Sequence, residues 1–288
     1  MTQPVSGAGN GASNLAPSHA PGASYGEFLL PAPANEVIHH GWWYRGPSSE
    51  GPSQSAPVPP SLSADVVLVV DGGEVRWVLL RGPHDVVEQQ RVSPGMEIWG
   101  LRLWADALPP LFGEADAAWR NRVAPLAQVV GAAHSAALVE CLVSAKGASP
   151  VEAAVARASA DWVQTIDRRG RPAIDPVVRA ALLVLEAVAG ARAVARVAAD
   201  VGVARRTLER RVLMVTGTTL KALARGMRLR ATVRALHQSA RPLAAVAADA
   251  GFADQSHLAR EVSQLLGTTP TRLRAYLAAL ETSPVARR

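Results

Sequence analysis

The chain writes one frame twice. Val197-Ala198-Ala199-Asp200-Val201-Gly202-Val203 returns 49 residues later as Val246-Ala247-Ala248-Asp249-Ala250-Gly251-Phe252. One extra residue then enters the second copy. At an offset of 50, Leu208 matches Leu258, Arg210 matches Arg260, Val212 matches Val262, and Gly217-Thr218-Thr219 matches Gly267-Thr268-Thr269. A repeat of this kind restricts the fold, because whatever the first copy packs into must also suit the second.

Each copy reads as two short helices crossing at a glycine. Val197, Ala198 and Val201, like Val246, Ala247 and Ala250, share one helical face. Alanine at 198 and 247 lets a second helix cross closely. Gly202 and Gly251 end the first helix where the chain must turn, with φ expected to be positive. Val203 or Phe252 plugs the corner. Leu208 and Val212, or Leu258 and Val262, are the i,i+4 core pair of the second helix. This is the helix-turn-helix pattern, written twice.

The core positions repeat and the outward ones do not. The first copy presents Arg205, Arg206, Thr207, Glu209 and Arg210; the second presents Asp254, Gln255, Ser256, His257 and Arg260. Two similar frames with different polar faces are what reading two different segments of double-stranded DNA requires. The start of a recognition helix aims side chains into the major groove and brings the positive end of its dipole towards phosphate. These ten residues are the candidate DNA-binding set.

Charge follows the same division. Residues 1–175 carry a net −5 and residues 176–288 a net +11, with 17 of the 18 cations in the second part being arginine. A basic back half suits a nucleic-acid partner, and the planar fork of arginine suits phosphates and guanine edges. All seven tryptophans lie before residue 176. Two domains with different tasks are expected.

Residues from about 176 to 282 resemble the DNA-binding domain of the AraC/XylS family of bacterial transcription regulators. The resemblance rests on Pro242–Tyr276, "PLAAVAADAGFADQSHLAREVSQLLGTTPTRLRAY". It holds the Ala-x-x-x-Gly-Phe core, Gln255-Ser256, Arg260, and Gly267-Thr-Thr-Pro followed by Arg274. "GMRLRATVRAL" (Gly226–Leu236) matches the helix that connects the two units in that family. The resemblance implies two recognition helices entering successive major-groove turns on one face of DNA. Arg205, Arg206 and Arg210 would serve the first unit, and Gln255, Ser256, His257 and Arg260 the second. Arg228, Arg230 and Arg234 are expected on the solvated or phosphate-near face of the connecting helix. Where the family often has a capping serine, this chain has Ala204 and Ala253. Asp254 is positioned to cap the second recognition helix; no residue does so for the first.

The fold expected is α+β: a small β-rich N-terminal domain with a helical linker, then an all-α domain of two helix-turn-helix units joined by a long helix. Residues 1–24, poor in charge and bulk, read as a disordered tail. Residues 25–113 read as the β-rich, sensor-like domain, with a hairpin at Asp65–Leu80 and an alternating strand at Met96–Trp104 that places Trp99, Leu101 and Leu103 on one face. Gly46–Ser63 reads as a long loop. Residues 114–175 read as a helical linker and candidate dimerisation region, with Ser149-Pro150 and Asp175-Pro176 starting helices. Residues 176–288 form the double helix-turn-helix domain. "SADVVLVVDGGEVRWVLLRGP" and "GLRLWADALPPLFG" resemble an N-terminal domain of some AraC-like regulators.

Trp42, Trp77 and Trp99 are candidate ligand-binding residues for a small-molecule effector, and a homodimer is a further expected partner. No cofactor or metal is expected: His39 and His40 are adjacent, so on a strand they point to opposite faces. Cys141 is the sole cysteine, so no intrachain disulfide forms. It reads as a core thiol, too few for an alkyl-accepting DNA-repair module, which needs several. The N-terminus lacks the pattern of a secretory signal, and no stretch of 18 apolar residues occurs. The protein is therefore expected to be cytoplasmic and not membrane-bound. It is not expected to be an enzyme. The alternative, an enzyme with a Trp-lined pocket and an appended DNA-binding domain, would need converging titratable groups. His39, His40, His84, Asp85 and Glu97 show no recognisable spacing.

Overall fold

The computed structural model describes residues 23–47, 52–113, 116–145, 151–166, 170–278 and 281–282. The tail expected at 1–24 lies outside these, save its last two residues, as do Ser149 and Pro150. The strands among the described residues are β1 (Ser24–Phe28), β2 (Ile38–Arg45), β3 (Gln54–Val58), β4 (Asp65–Asp71), β5 (Glu74–Arg81), β6 (Glu88–Val92), β7 (Glu97–Leu103), β8 (Val123–Pro125) and β9 (Glu281–Thr282). Seven of them form one sheet in the order β8-β5-β4-β7-β2-β1-β9, and β3 pairs with β6 in a separate ribbon.

β4 and β5 are the expected hairpin. Gly72 and Gly73 both have positive φ, 61° and 81°, as a two-residue turn between right-twisted strands demands. β7 alternates as expected: Trp99, Leu101 and Leu103 join the inner core and Ile98 the opposite face. Two local readings differ. The stretch 46–63 contains β3, whose setting in a two-stranded ribbon tolerates serine and proline. Strict alternation separates His39 from His40, but the β2–β7 register shifts between Ile38 and His40. Their Nδ1 atoms come to lie 2.6 Å apart. A bulge re-aims side chains in this way.

The helices that follow are α1 (Leu108–Phe112), α2 (Asp116–Trp119), α3 (Leu126–Val130), α4 (Ala132–Ala145) and α5 (Val151–Thr165). Leu126, Leu138, Leu142, Val155 and Trp162 from this group share one core with Val66, Leu68, Leu80, Trp99 and Leu101 of the sheet. A sheet with an apolar face must bury it against another layer. α3–α5 are that layer. Cys141, on α4, is half-buried.

The C-terminal half is all helical up to β9: α6 (Pro176–Ala187), α7 (Val194–Asp200), α8 (Arg205–Thr216), α9 (Leu220–Gln238), α10 (Leu243–Asp249), α11 (Gln255–Leu266) and α12 (Pro270–Ala278). Asp175 caps α6 as expected, its Oδ1 accepting from the backbone N–H of Val177 at 2.9 Å and Val178 at 3.2 Å. α9 is shared by two cores. Leu220, Leu223 and Ala224 at its start pack with α6, α7 and α8; Leu229 and Leu236 pack with α10, α11 and α12.

The two halves touch at α6 and α9, and also where Arg120 donates to the Gly217 carbonyl at 3.4 Å. On the outer face of the sheet, Trp42 Nε1 donates to Asp65, which also receives the Arg102 fork at 3.0 and 2.9 Å. Burial alone would push the Asp65 carboxyl up. The Arg102 guanidinium and the Trp42 N–H outweigh that and hold it below the ordinary carboxylate range. Beside this pair, Arg234 on α9 donates to Glu27 at 3.0 Å, while Glu186 receives Arg230 at 2.7 Å and faces His39 at 3.3 Å. His40 is kept neutral, its pKa pushed well down by burial and by Arg102, His39, Arg230 and Arg234 around it. Arg179 on α6 forks onto Asp106 at 3.0 and 2.6 Å, donates to the Glu36 carbonyl at 2.5 Å, and lies over the Trp104 ring. These contacts correct the reading of the connecting helix. Arg230 is held by Glu186 of α6 and Arg228 donates to the Gly190 carbonyl at 3.0 Å, whereas Arg234 stays on the exposed face and reaches Glu27 from there.

Candidate nucleic-acid interface

The duplicated frame folds into duplicated geometry. Gly202 and Gly251 have φ of 72° and 73°. The amide of the corner residue bonds back in both copies, Val203 N to Ala198 O at 3.0 Å and Phe252 N to Ala247 O at 2.9 Å. Only glycine accepts this backbone without a Cβ penalty. Val197, Leu208 and Val212 are fully buried in the first unit, as are Leu258 and Val262 in the second.

The repeated Gly-Thr-Thr also has a role in each unit. Gly217 and Gly267, φ 63° and 64°, terminate the recognition helices α8 and α11. Thr219 and Thr269 then cap the next helix, their hydroxyls accepting from Ala222 N at 3.1 Å and Arg272 N at 3.3 Å. A further pair repeats in both units: Arg192 bonds Asp200 at 2.6 Å, and Arg241 bonds Asp249. Arg192 and Arg241 stand 49 apart, as do their partners, and that matching offset was the available signal.

The ten candidate residues divide by what they already hold. Arg205, Arg206 and Arg210 are exposed at the start of α8, and Gln255, Ser256 and Arg260 occupy the corresponding face of α11. Glu209 is engaged by Arg205 at 2.9 Å, one turn away, and Thr207 is half-buried. Asp254 caps α11 as expected, accepting from the backbone N–H of His257 at 2.7 Å. The His257 ring is half-buried against Phe252, edge to face at 5.3 Å. Asp254 and His257 thus build the turn, leaving an arginine-rich outward face on α8 and a glutamine-bearing one on α11. Ala204 has the extended backbone of an N-cap but no side chain to cap with. Ala204→Ser is expected to stabilise the first unit by about 0.5–1 kcal/mol, and Asp254→Ala to cost the second about 1 kcal/mol. Thermal unfolding of each variant measures both.

The three candidate tryptophans are not brought together. Trp42 lies on the outer face of the sheet, packed across Gly100, where its ring fills the space a Cβ would need. Trp77 is 43% exposed on β5. Trp99 lies on the inner face, beside a small apolar cleft lined with Phe28, Leu68, Leu138, Leu142 and Val155. Among the described residues no group of three or more His, Cys, Asp or Glu could hold a metal ion, and no helix is long and apolar enough to cross a membrane.

Residues 197–276 match the family model of a helix-turn-helix domain. A transcriptional regulator with an AraC-type DNA-binding domain from Chromobacterium violaceum is similar over 36% of this chain and 93% of its own, at 26% identity and a TM-score of 0.34. The DNA-binding domain of AdpA, a global transcriptional factor solved in complex with a target DNA, is similar over 35% of this chain and 91% of its own, at 28% identity and a TM-score of 0.33. ToxT from Vibrio cholerae O395 is similar over 89% of this chain and 97% of its own, at 9% identity and a TM-score of 0.43. No curated protein matches the chain. With both turns, both second helices and the connecting helix in place, residues 197–276 are a helix-turn-helix domain of the kind this family model describes.

Proposed function

We propose that the chain is a one-component transcription regulator whose two helix-turn-helix units read successive major-groove segments on one face of double-stranded DNA, under the control of the N-terminal domain. The observation that carries this is the pair of matching frames with unlike outward faces, Arg205, Arg206 and Arg210 on one and Gln255, Ser256 and Arg260 on the other. Arginine pairs best with guanine N7 and O6, and glutamine with adenine N6 and N7, so the first segment favours guanine and the second adenine.

The N-terminal domain senses an effector or dimerises. The cleft beside Trp99 is about the size of one water molecule, so an apolar effector would enter only by parting α4 and α5 from the sheet, and α4, with Val143 half exposed, offers a surface for a second copy. Either event reaches the DNA-binding half through α6 and α9, which the N-terminal domain already grips.

A mobility-shift titration across salt tests DNA binding. With about six phosphates neutralised, affinity should fall roughly 10³-fold between 50 and 200 mM salt. A shallow dependence contradicts the electrostatic part. Arg206→Ala and Gln255→Ala should each relax preference in one segment only; equal losses on every sequence would make them phosphate contacts.

A further inference from the structure

We propose that two ion pairs of opposite polarity, Arg211 with Asp175 and Glu261 with Arg225, are the positioning contacts that set the roll of each recognition helix against DNA. The proposal rests on the DNA-reading function argued above and names residues that act through the helices rather than on bases.

Arg211 and Glu261 are both the seventh residue of their recognition helix, 50 residues apart, and their partners Asp175 and Arg225 are also 50 apart. Arg211 forks onto Asp175, Nε to Oδ2 at 2.8 Å and Nη2 to Oδ1 at 2.9 Å. Asp175 is itself fixed as the cap of α6. In the second unit Arg225, on α9, donates from Nε to Glu261 at 2.5 Å and from Nη2 to Gln264 at 2.7 Å. The same position in each unit therefore ties the recognition helix to the helix that precedes the unit, with the charges exchanged.

The apolar seam alone cannot do this. Leu208 and Val212 match Leu258 and Val262, so the packed seam seats both helices alike and supplies no directional bond on the side that faces outward. A forked, charge-assisted hydrogen bond is directional. It stands one residue past Arg210, and one past Arg260, so a change of roll at this point re-aims the outward face. Bidentate base contacts tolerate only about 0.5 Å or 10–20° of misplacement. The exchanged polarity adds a second consequence. A recognition helix seated on the wrong scaffold helix would set Glu261 against Asp175, or Arg211 against Arg225, like charges that oppose the exchange.

The test uses the full chain and selection from a randomised duplex library. The wild type should select two preferred blocks. Glu261→Arg, which faces Arg225, should flatten preference in the block read by α11 by about tenfold or more while leaving the other block intact. Adding Arg225→Glu should restore it. Arg211→Glu should flatten the opposite block. Preference rather than affinity is the readout, because an added cation raises affinity for any DNA. Circular dichroism checks that each variant folds. If Glu261→Arg does not fold, Glu261→Gln removes the charge without a clash and should show a smaller loss in the same block. The proposal is overturned if the exchanged double variant stays as flat as the single one, or if either single variant weakens both blocks equally. A wild type that selects no sequence removes the DNA-reading function itself, an outcome distinct from both.

Discussion

Arg179→Ala is expected to destabilise the protein by about 3–5 kcal/mol, the range for stripping the partner from a buried charge. Asp106 has no exposed side-chain surface, and Arg179 is the fork that meets it. Burial pushes the Asp106 carboxyl up, and the guanidinium offsets that only in part, so the folded-state value stays above the ordinary 3.8. Without Arg179 it rises further. A carboxyl raised in the folded state costs stability at pH above its folded value and nothing below its unfolded value. The deficit of the variant should therefore shrink as pH falls towards 4, as Asp106 takes up a proton. Adding Asp106→Asn should recover most of the loss at pH 8. Denaturant unfolding at pH 5 and pH 8 measures this. An equal deficit at both pH values, with no recovery in the double variant, would place the role of Arg179 elsewhere, in its contacts to Glu36 and Trp104.

Leu258→Ala should cost about 2–5 kcal/mol, and the damage should stay local. Leu258 is fully buried in the core that α10, α11 and α12 share with the end of α9, whereas Leu208 lies in the core of α6, α7 and α8. Because each core is a separate cluster and α9 is the helix they share, the second unit should open while the first stays protected. Hydrogen exchange by mass spectrometry should show faster exchange over 243–278 and unchanged protection over 194–216. Leu208→Ala should give the converse. Equal loosening of both units by either variant would mean one cooperative domain.

The parts of this structure legible in the sequence are those decided within a few residues. Gly202 and Gly251 sit where the chain must turn, Asp175 and Asp254 cap the helices they precede, and Gly72-Gly73 closes its hairpin. The list of outward residues was legible too, and so was the capping role of Asp254, but only geometry shows that His257 and Glu209 are engaged inside the unit. What escaped depends on distant partners. Arg234 meets Glu27 207 residues away, and Arg179 meets Glu36 143 residues away, so both arginines resemble solvated charge in the sequence. The alanine-rich pattern of α4 and α5 announces helices without announcing the sheet they cover. A register shift of one residue in β2 was enough to bring His39 and His40 together. Trp42 and Trp99 lie on opposite faces of the sheet because of their strand registers, which their positions in the chain do not reveal.

The central claim is that two units of one chain read two different DNA segments. Selection from a randomised duplex library with the full wild-type chain tests it most directly. Two unlike blocks are expected, one rich in guanine and one containing adenine, with centres about 10–10.5 base pairs apart, the spacing of successive major-groove turns on one face. A single block, two identical blocks, or no sequence preference would contradict the account.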